Sequence, residues 1–94
     1  MVVADLDEVQ YDLEIDGEQV RKQLARKVWE KSGWATIAIA FSERDRGGDW
    51  KPAKVALLRF RRIHEVWKRQ AAITLPSPEA LELVSSIESW RSLL

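Results

Sequence analysis

Between Trp34 and Leu75 the chain keeps a period of two, and this constrains the fold more than any other feature. In "WATIAIAFSER" (34–44), Ile37, Ile39 and Phe41 alternate with Thr36, Ala38 and Ala40 in a β-branched, aromatic-rich run. Successive strand residues point to opposite sides, so such a run is a strand with one apolar face. Gly47-Gly48 then supplies a turn. After Pro52, "AKVALLRFRR" sets Ala56, Leu58 and Phe60 against Val55, Leu57, Arg59 and Arg61, and "VWKRQAAITL" continues in the same style. The turn near Ile63 to Val66 lacks Gly or Asn, so one amphipathic helix over 53–70 competes with a hairpin. The hairpin is preferred, because Ile73-Thr74-Leu75 ends like a strand and a helix start follows at once.

That start is "LPSPEALELVSSIESWRSLL", with Ser77 as N-cap, Pro78 at the first helical position and Glu79 in the first turn. Ala80, Leu83, Val84, Ile87, Trp90 and Leu94 form a one-faced apolar stripe. Residues 18–31, "EQVRKQLARKVWEK", suit either a helix or a strand, since Val20, Leu24 and Val28 are four apart and four is also even. Ser32-Gly33 then turns the chain. "YDLEIDGE" (11–18) ends in the hairpin-type turn Asp16-Gly17 and is an extra edge strand or a loose arm. The expected fold class is α+β: a four-stranded antiparallel sheet of two hairpins followed by one C-terminal helix, dimeric, with residues 1–19 as an acidic arm and 20–94 as a single β-β-β-β-α domain.

Charge is the second constraint. The 94 residues carry 15 Lys and Arg against 15 Asp and Glu. The balance hides a block structure. Residues 1–19 hold seven carboxylates and no base, residues 20–75 hold fourteen bases and five acids, and residues 76–94 hold three acids and one base. A basic body with an acidic arm points to a polyanionic partner more than the bulk charge does. Strand parity places Leu24, Val28, Ile37, Ile39, Phe41, Ala56, Leu58, Phe60, Ala71, Ile73 and Leu75 on one face, where the helix would pack. It places Lys27, Trp29, Lys31, Trp34, Thr36, Arg59, Arg61, Lys68 and Gln70 on the other. A basic face with interleaved indoles suits single-stranded nucleic acid, whose phosphates meet cations and whose bases stack on aromatic rings. Each tryptophan has a competing role in packing. Trp90 is assigned to the core and Trp50 to the turn. Trp29, Trp34 and Trp67 are the base-stacking candidates, and the parity of Trp67, opposite to that of Lys68, leaves the core side open to it as an alternative.

The order of elements, with "SGWATIAIAFSERDRGGDWKPAKVAL" and then "AAITLPSPEALELVSSIESW", resembles the positive-cofactor-four transcriptional coactivator family, whose fold the plant Whirly proteins share. The likeness covers roughly residues 20–94 and is closest at "FSERD", at Trp50-Lys51-Pro52 with Lys54, and at "ITL" leading into the helix. "VALLRFRRIHEVWKRQAA" is longer than the family's corresponding stretch, so the last hairpin is extended. The resemblance implies a homodimer paired through the C-terminal helix and a positively charged channel for single-stranded DNA. By matching, it makes Lys27, Trp29, Arg44, Lys51, Lys54, Arg59, Arg61 and Lys68 contact residues.

Other chemistries find little support. There is no cysteine, hence no disulfide or thiolate site. His64 is the single histidine and has no nucleophile beside it, and Gly47-Gly48 lacks the Lys-Ser/Thr of a phosphate-cradling loop. No catalysis and no cofactor or metal are expected. "MVVADLDEVQ" does not read as a signal peptide and "WATIAIAF" is too short to span a bilayer, so the expected setting is the cytoplasm, near nucleic acid. The functional expectation is a sequence-tolerant binder of single-stranded DNA or RNA in transcription, replication or repair. The alternative is an adaptor whose basic sheet docks an acidic protein. The acidic arm is expected either to fold over the basic face and compete with phosphates or to remain solvated.

Overall fold

The computed structural model describes residues 1–94. It contains β1 (Val2–Val3), β2 (Leu13–Ile15), β3 (Glu18–Lys31), β4 (Trp34–Glu43), β5 (Lys54–Ile63), β6 (Val66–Pro76) and helix α1 (Ser77–Ser89), with short 3-10 turns at Leu6–Glu8 and Arg91–Leu93. All six strands form one antiparallel sheet in the order β1-β6-β5-β4-β3-β2, curled into a half-barrel. The sheet therefore has six strands rather than the expected four. The two additional strands come from the acidic arm, and they sit at opposite edges of the sheet.

The four long strands form two hairpins and the connection between them. Ser32 (φ 53°) and Gly33 (φ 79°) turn β3 into β4, and His64 (φ 51°) and Glu65 (φ 66°) turn β5 into β6. Both are two-residue loops with positive φ at each position, the geometry that matches the twist of antiparallel strands. The second is built from two residues that resist it, so strand pairing on either side must hold the turn. Residues 53–70 are thus a hairpin, and 18–31 is a single long strand.

Burial in β4 alternates from Trp34 to Phe41, and Ser42 is buried as well. Ala35, Ile37, Ile39 and Phe41 are buried and Trp34, Thr36, Ala38 and Ala40 are half-buried. Ala56, Leu58 and Phe60 of β5 continue the same core. The burial of Phe60, Ile37, Ile39 and Leu58 is essentially complete, which stabilises the fold by about 1.5–3 kcal/mol for each side chain.

What covers this core is the arm, not the helix. Leu6 and Val9 belong to the same buried cluster, with Val3, Tyr11 and Val28 packed against it. Tyr11 meets Phe41 edge-on at 4.9 Å between ring centroids, and the Arg21 guanidinium lies 4.7 Å from the Tyr11 centroid. Arg26, opposite Ile39 on the core side, donates to the carbonyls of Leu6 and Val9. Asp12 accepts from the Gln23 backbone N–H at 2.9 Å, and Asp5 caps the 3-10 turn through the Asp7 N–H. The chain thus begins on the β6 edge, crosses beneath the apolar face and joins the β3 edge. The expectation that the arm would lie over the basic face is overturned, because its apolar residues are needed on the other side.

The helix has no buried residue. Leu83, Val84 and Ile87 are exposed, and Trp90, expected in the core, is 48% exposed. Ser77 is not the cap. Pro76 holds that position, and the Ser77 hydroxyl donates to the Ala53 carbonyl in the β4–β5 connection. The molecule measures 43 × 38 × 17 Å. A thickness of 17 Å accommodates one sheet with the arm on one side, and most of the opposite face of β3–β6 is left without a covering layer, Ser42 and Leu75 being the buried residues on it.

Candidate nucleic-acid interface

Residues directly opposite one another across an antiparallel pair share a face, so the register defines the open surface. One row runs Lys31, Trp34, Arg61, Lys68; the next runs Trp29, Thr36, Arg59, Ala71; the third runs Lys27, Ala38, Leu57, Ile73. Seven of the ten residues singled out from the sequence, Lys27, Trp29, Lys31, Trp34, Arg59, Arg61 and Lys68, therefore lie on one side of the sheet, opposite the core. The basic and aromatic members gather near the two hairpin turns, and the surface becomes apolar towards the helix.

The Trp34 ring organises this cluster. The Arg59 guanidinium carbon is 4.8 Å from its centroid and that of Arg61 is 5.2 Å away. Arg59 Nη1 also donates to Thr36 Oγ1 at 2.7 Å. Stacking and a hydrogen bond together fix a side chain that would otherwise sample many rotamers, and its remaining N–H groups still point to solvent. Trp29 carries no cation over its ring and is 53% exposed. Val28, Trp29, Glu30, Lys31, Ser32, Trp34 and Arg59 line an open depression of about 760 Å³. The three ion pairs of the molecule are Arg44–Glu18, Lys54–Glu43 and Arg91–Glu88, so no carboxylate neutralises Lys27, Lys31, Arg59, Arg61 or Lys68.

The remaining three candidates lie elsewhere. Lys54 is opposite Phe41 on the core side, and its ammonium is 3.4 Å from Glu43, so it does not join the basic surface. Lys51 is exposed in the β4–β5 connection. Arg44 bridges to Trp50 at the far end of the sheet, where its guanidinium lies 4.7 Å from the Trp50 centroid and 3.4 Å from Glu18. Lys22 Nζ covers the same ring at 4.2 Å. This second cluster of Lys22, Arg44 and Trp50 stands about 26 Å along β4 from the first, at ~3.3 Å per residue between Trp34 and Ser42, the partner of Lys22.

Two β-bulges account for the differences from simple parity. One at Leu24, between the pairs Gln23–Phe41 and Ala25–Ala40, turns Leu24 out and carries Lys22 to the open face. Another at Gln70, between the pairs Phe60–Arg69 and Arg59–Ala71, places Trp67 in the core at 5% exposure yet puts Ala71, Ile73 and Leu75 on the open side. A one-residue insertion reverses every side chain beyond it. Gln70 is itself the unpaired residue, and Leu75 is buried outside the main cluster. No group of three or more His, Cys, Asp or Glu side chains is placed to hold a metal ion. No protein-family model matches the chain, and no curated protein or solved structure matches it either.

Proposed function

We infer that the protein binds single-stranded nucleic acid, with little regard to sequence, on the open face of β3–β6. The observation that carries this reading is the set of five unpaired cations around Trp29 and Trp34 on a face with no covering layer. Phosphates are neutralised by Lys27, Lys31, Arg59, Arg61 and Lys68. A splayed base stacks on Trp29, the indole whose face is free, and each such stack contributes ~1–3 kcal/mol. Trp34 holds the two arginines at a fixed spacing and does not itself accept a base. The second cluster extends the path along the sheet. A duplex keeps its bases stacked inside and offers nothing to Trp29, so single strands are preferred. The resemblance carried by Trp50-Lys51-Pro52 and by "ITL" before the helix points the same way. The protein acts as a homodimer, supported by the exposed apolar stripe Leu83, Val84, Ile87 on a helix that its own chain leaves unburied.

Titrating fluorescently labelled single-stranded and duplex oligonucleotides over a salt series tests the reading. Expected are a preference for single strands, quenching of tryptophan emission and a log–log salt slope of about −0.7 per phosphate neutralised. Equal affinity for both forms, with tryptophan emission unchanged, would exclude it and leave an acidic protein as the partner of this face.

A further inference from the structure

The outer edge of β6 is left open over a short, well-defined window. β1 covers only Trp67 and Lys68, and the Arg69 N–H donates to the Met1 carbonyl. From Gln70 to Pro76 the strand has β5 on one side and no strand on the other. That window, "QAAITLP", contains no charge, and Gln70 through Thr74 are all exposed. Natural sheets protect such edges with lysines, prolines or bulges, because unpaired N–H and C=O groups recruit another strand. Here charge, a bulge and β1 protect the edge up to Gln70, and Pro76 ends it. Between those limits Ile73 is 55% exposed on the open face.

We propose that this edge is the dimer seam: β6 pairs antiparallel with β6 of a second copy, joining two half-barrels into one continuous sheet. A two-fold axis normal to the sheet keeps each face on its own side, so the axis must pass through a residue. The midpoint of the window 70–76 is Ile73. Ile73 then faces its own copy, Ala72 faces Thr74, Ala71 faces Leu75 and Gln70 faces Pro76. A shift further towards Trp67 would drive the incoming strand into β1, so β1 sets the register. Each α1 leaves the shared pair where β1 of the other copy closes the edge, beside Met1 and Val2, both more than half exposed. Each copy gives this seam the exposed part of Ile73 and the unpaired backbone of residues 70–76. A neutral, self-complementary window has no feature that would select a charged peptide, and a second copy satisfies both its backbone and its isoleucine. The inference keeps the homodimer of the preceding section, moves its seam from the helix to the β6 edge, and does not depend on nucleic acid. It carries a consequence for it: both basic clusters come to one surface, roughly 30 Å apart at ~4.8 Å per strand and ~3.3 Å per residue.

The chain has no cysteine, so single-cysteine variants test the seam without nucleic acid. Directly opposed residues have Cα atoms ~4.5–5.5 Å apart, within disulfide range. Ile73→Cys is expected to form a covalent dimer rapidly under mild oxidation, while Ala38→Cys, on the same face but two strands inward, stays uncrosslinked. Ile73→Lys, at an exposed position that leaves the monomer fold intact by circular dichroism, is expected to weaken dimerisation at least tenfold in sedimentation equilibrium. Parent-like dimerisation of Ile73→Lys, or crosslinking of Ile73→Cys no faster than Ala38→Cys, would overturn the seam. Should Ile87→Lys abolish such a dimer, the helix-paired dimer stands and the edge-paired one falls. A parent protein that sediments as a monomer at all concentrations removes both, leaving the nucleic-acid reading to its own titration.

Discussion

Arg26 reaches across seventeen residues of sequence to hold the carbonyl of Val9, and with its second nitrogen the carbonyl of Leu6. A guanidinium that projects from the core side of β3 therefore fastens the segment that seals the core. Arg26→Met keeps much of the side-chain volume but removes both charge-assisted bonds. Such bonds contribute ~1.5–3 kcal/mol each, so urea unfolding should show a loss of about 2–4 kcal/mol, with Arg26→Lys intermediate.

Removal of the arm is more drastic. Without residues 1–12, Ile37, Ile39, Phe41, Leu58 and Phe60 lose the cover provided by Leu6, Val9 and Tyr11. The truncated protein is expected to bind a hydrophobic dye and to aggregate, rather than to fold and bind nucleic acid more tightly. The milder Val9→Ala, at a site 1% exposed, should cost about 1–3 kcal/mol and leave oligonucleotide affinity unchanged in the folded fraction.

The two tryptophans of the open face should separate in binding assays. Trp29→Ala removes the free ring and should weaken single-strand binding by ~1–3 kcal/mol at every salt concentration, with the salt slope unchanged. Arg61→Ala should shift the slope by about 0.7 towards zero. Trp34→Phe, which shrinks the platform under Arg59 and Arg61, should lower affinity and also raise the mobility of both arginines, measured by side-chain relaxation in NMR. Trp29→Ala that binds like the parent would refute the division of roles.

The β5–β6 turn is open to improvement. His64 and Glu65 both adopt left-handed backbone geometry, at a cost of roughly 1–2 kcal/mol per residue for side chains with a Cβ. Asn and Gly fit such a turn best. His64→Asn combined with Glu65→Gly should stabilise the protein by ~1–2 kcal/mol, raising the melting temperature by roughly 4–15 °C, without affecting the ladder on either side.

The strands were legible where alternation is uninterrupted. Ile37, Ile39 and Phe41 against Trp34 and Thr36 define both faces of β4, and Ala56, Leu58 and Phe60 against Arg59 and Arg61 define those of β5. What the period cannot show is a bulge, since Leu24 and Gln70 look like any other strand residue, and each reverses the sidedness of what lies beyond it. The expected core positions of Leu24, Ala71 and Ile73 failed for that reason, while Leu75 is buried, though outside the main cluster. The arm was misjudged for a different one. Seven carboxylates dominate its composition, while its function in packing rests on Leu6, Val9 and Tyr11, too few and too irregularly spaced to form a periodic signal. The helix stripe was visible, but a stripe says only that a face needs a partner. Its own sheet is not that partner, because the arm had already taken the place.

The pairing of Val2 with Lys68 joins positions 66 residues apart. During synthesis the arm emerges before any strand that it will border, and it waits through the translation of four strands for β6 to exist. Closing so large a loop carries an entropic cost that grows with its length, and contacts of this range form late and slowly. The first strand therefore stays unpaired in the nascent chain until the last hairpin zips, and that interval, more than the native state, is when the open β6 edge is exposed to misassembly.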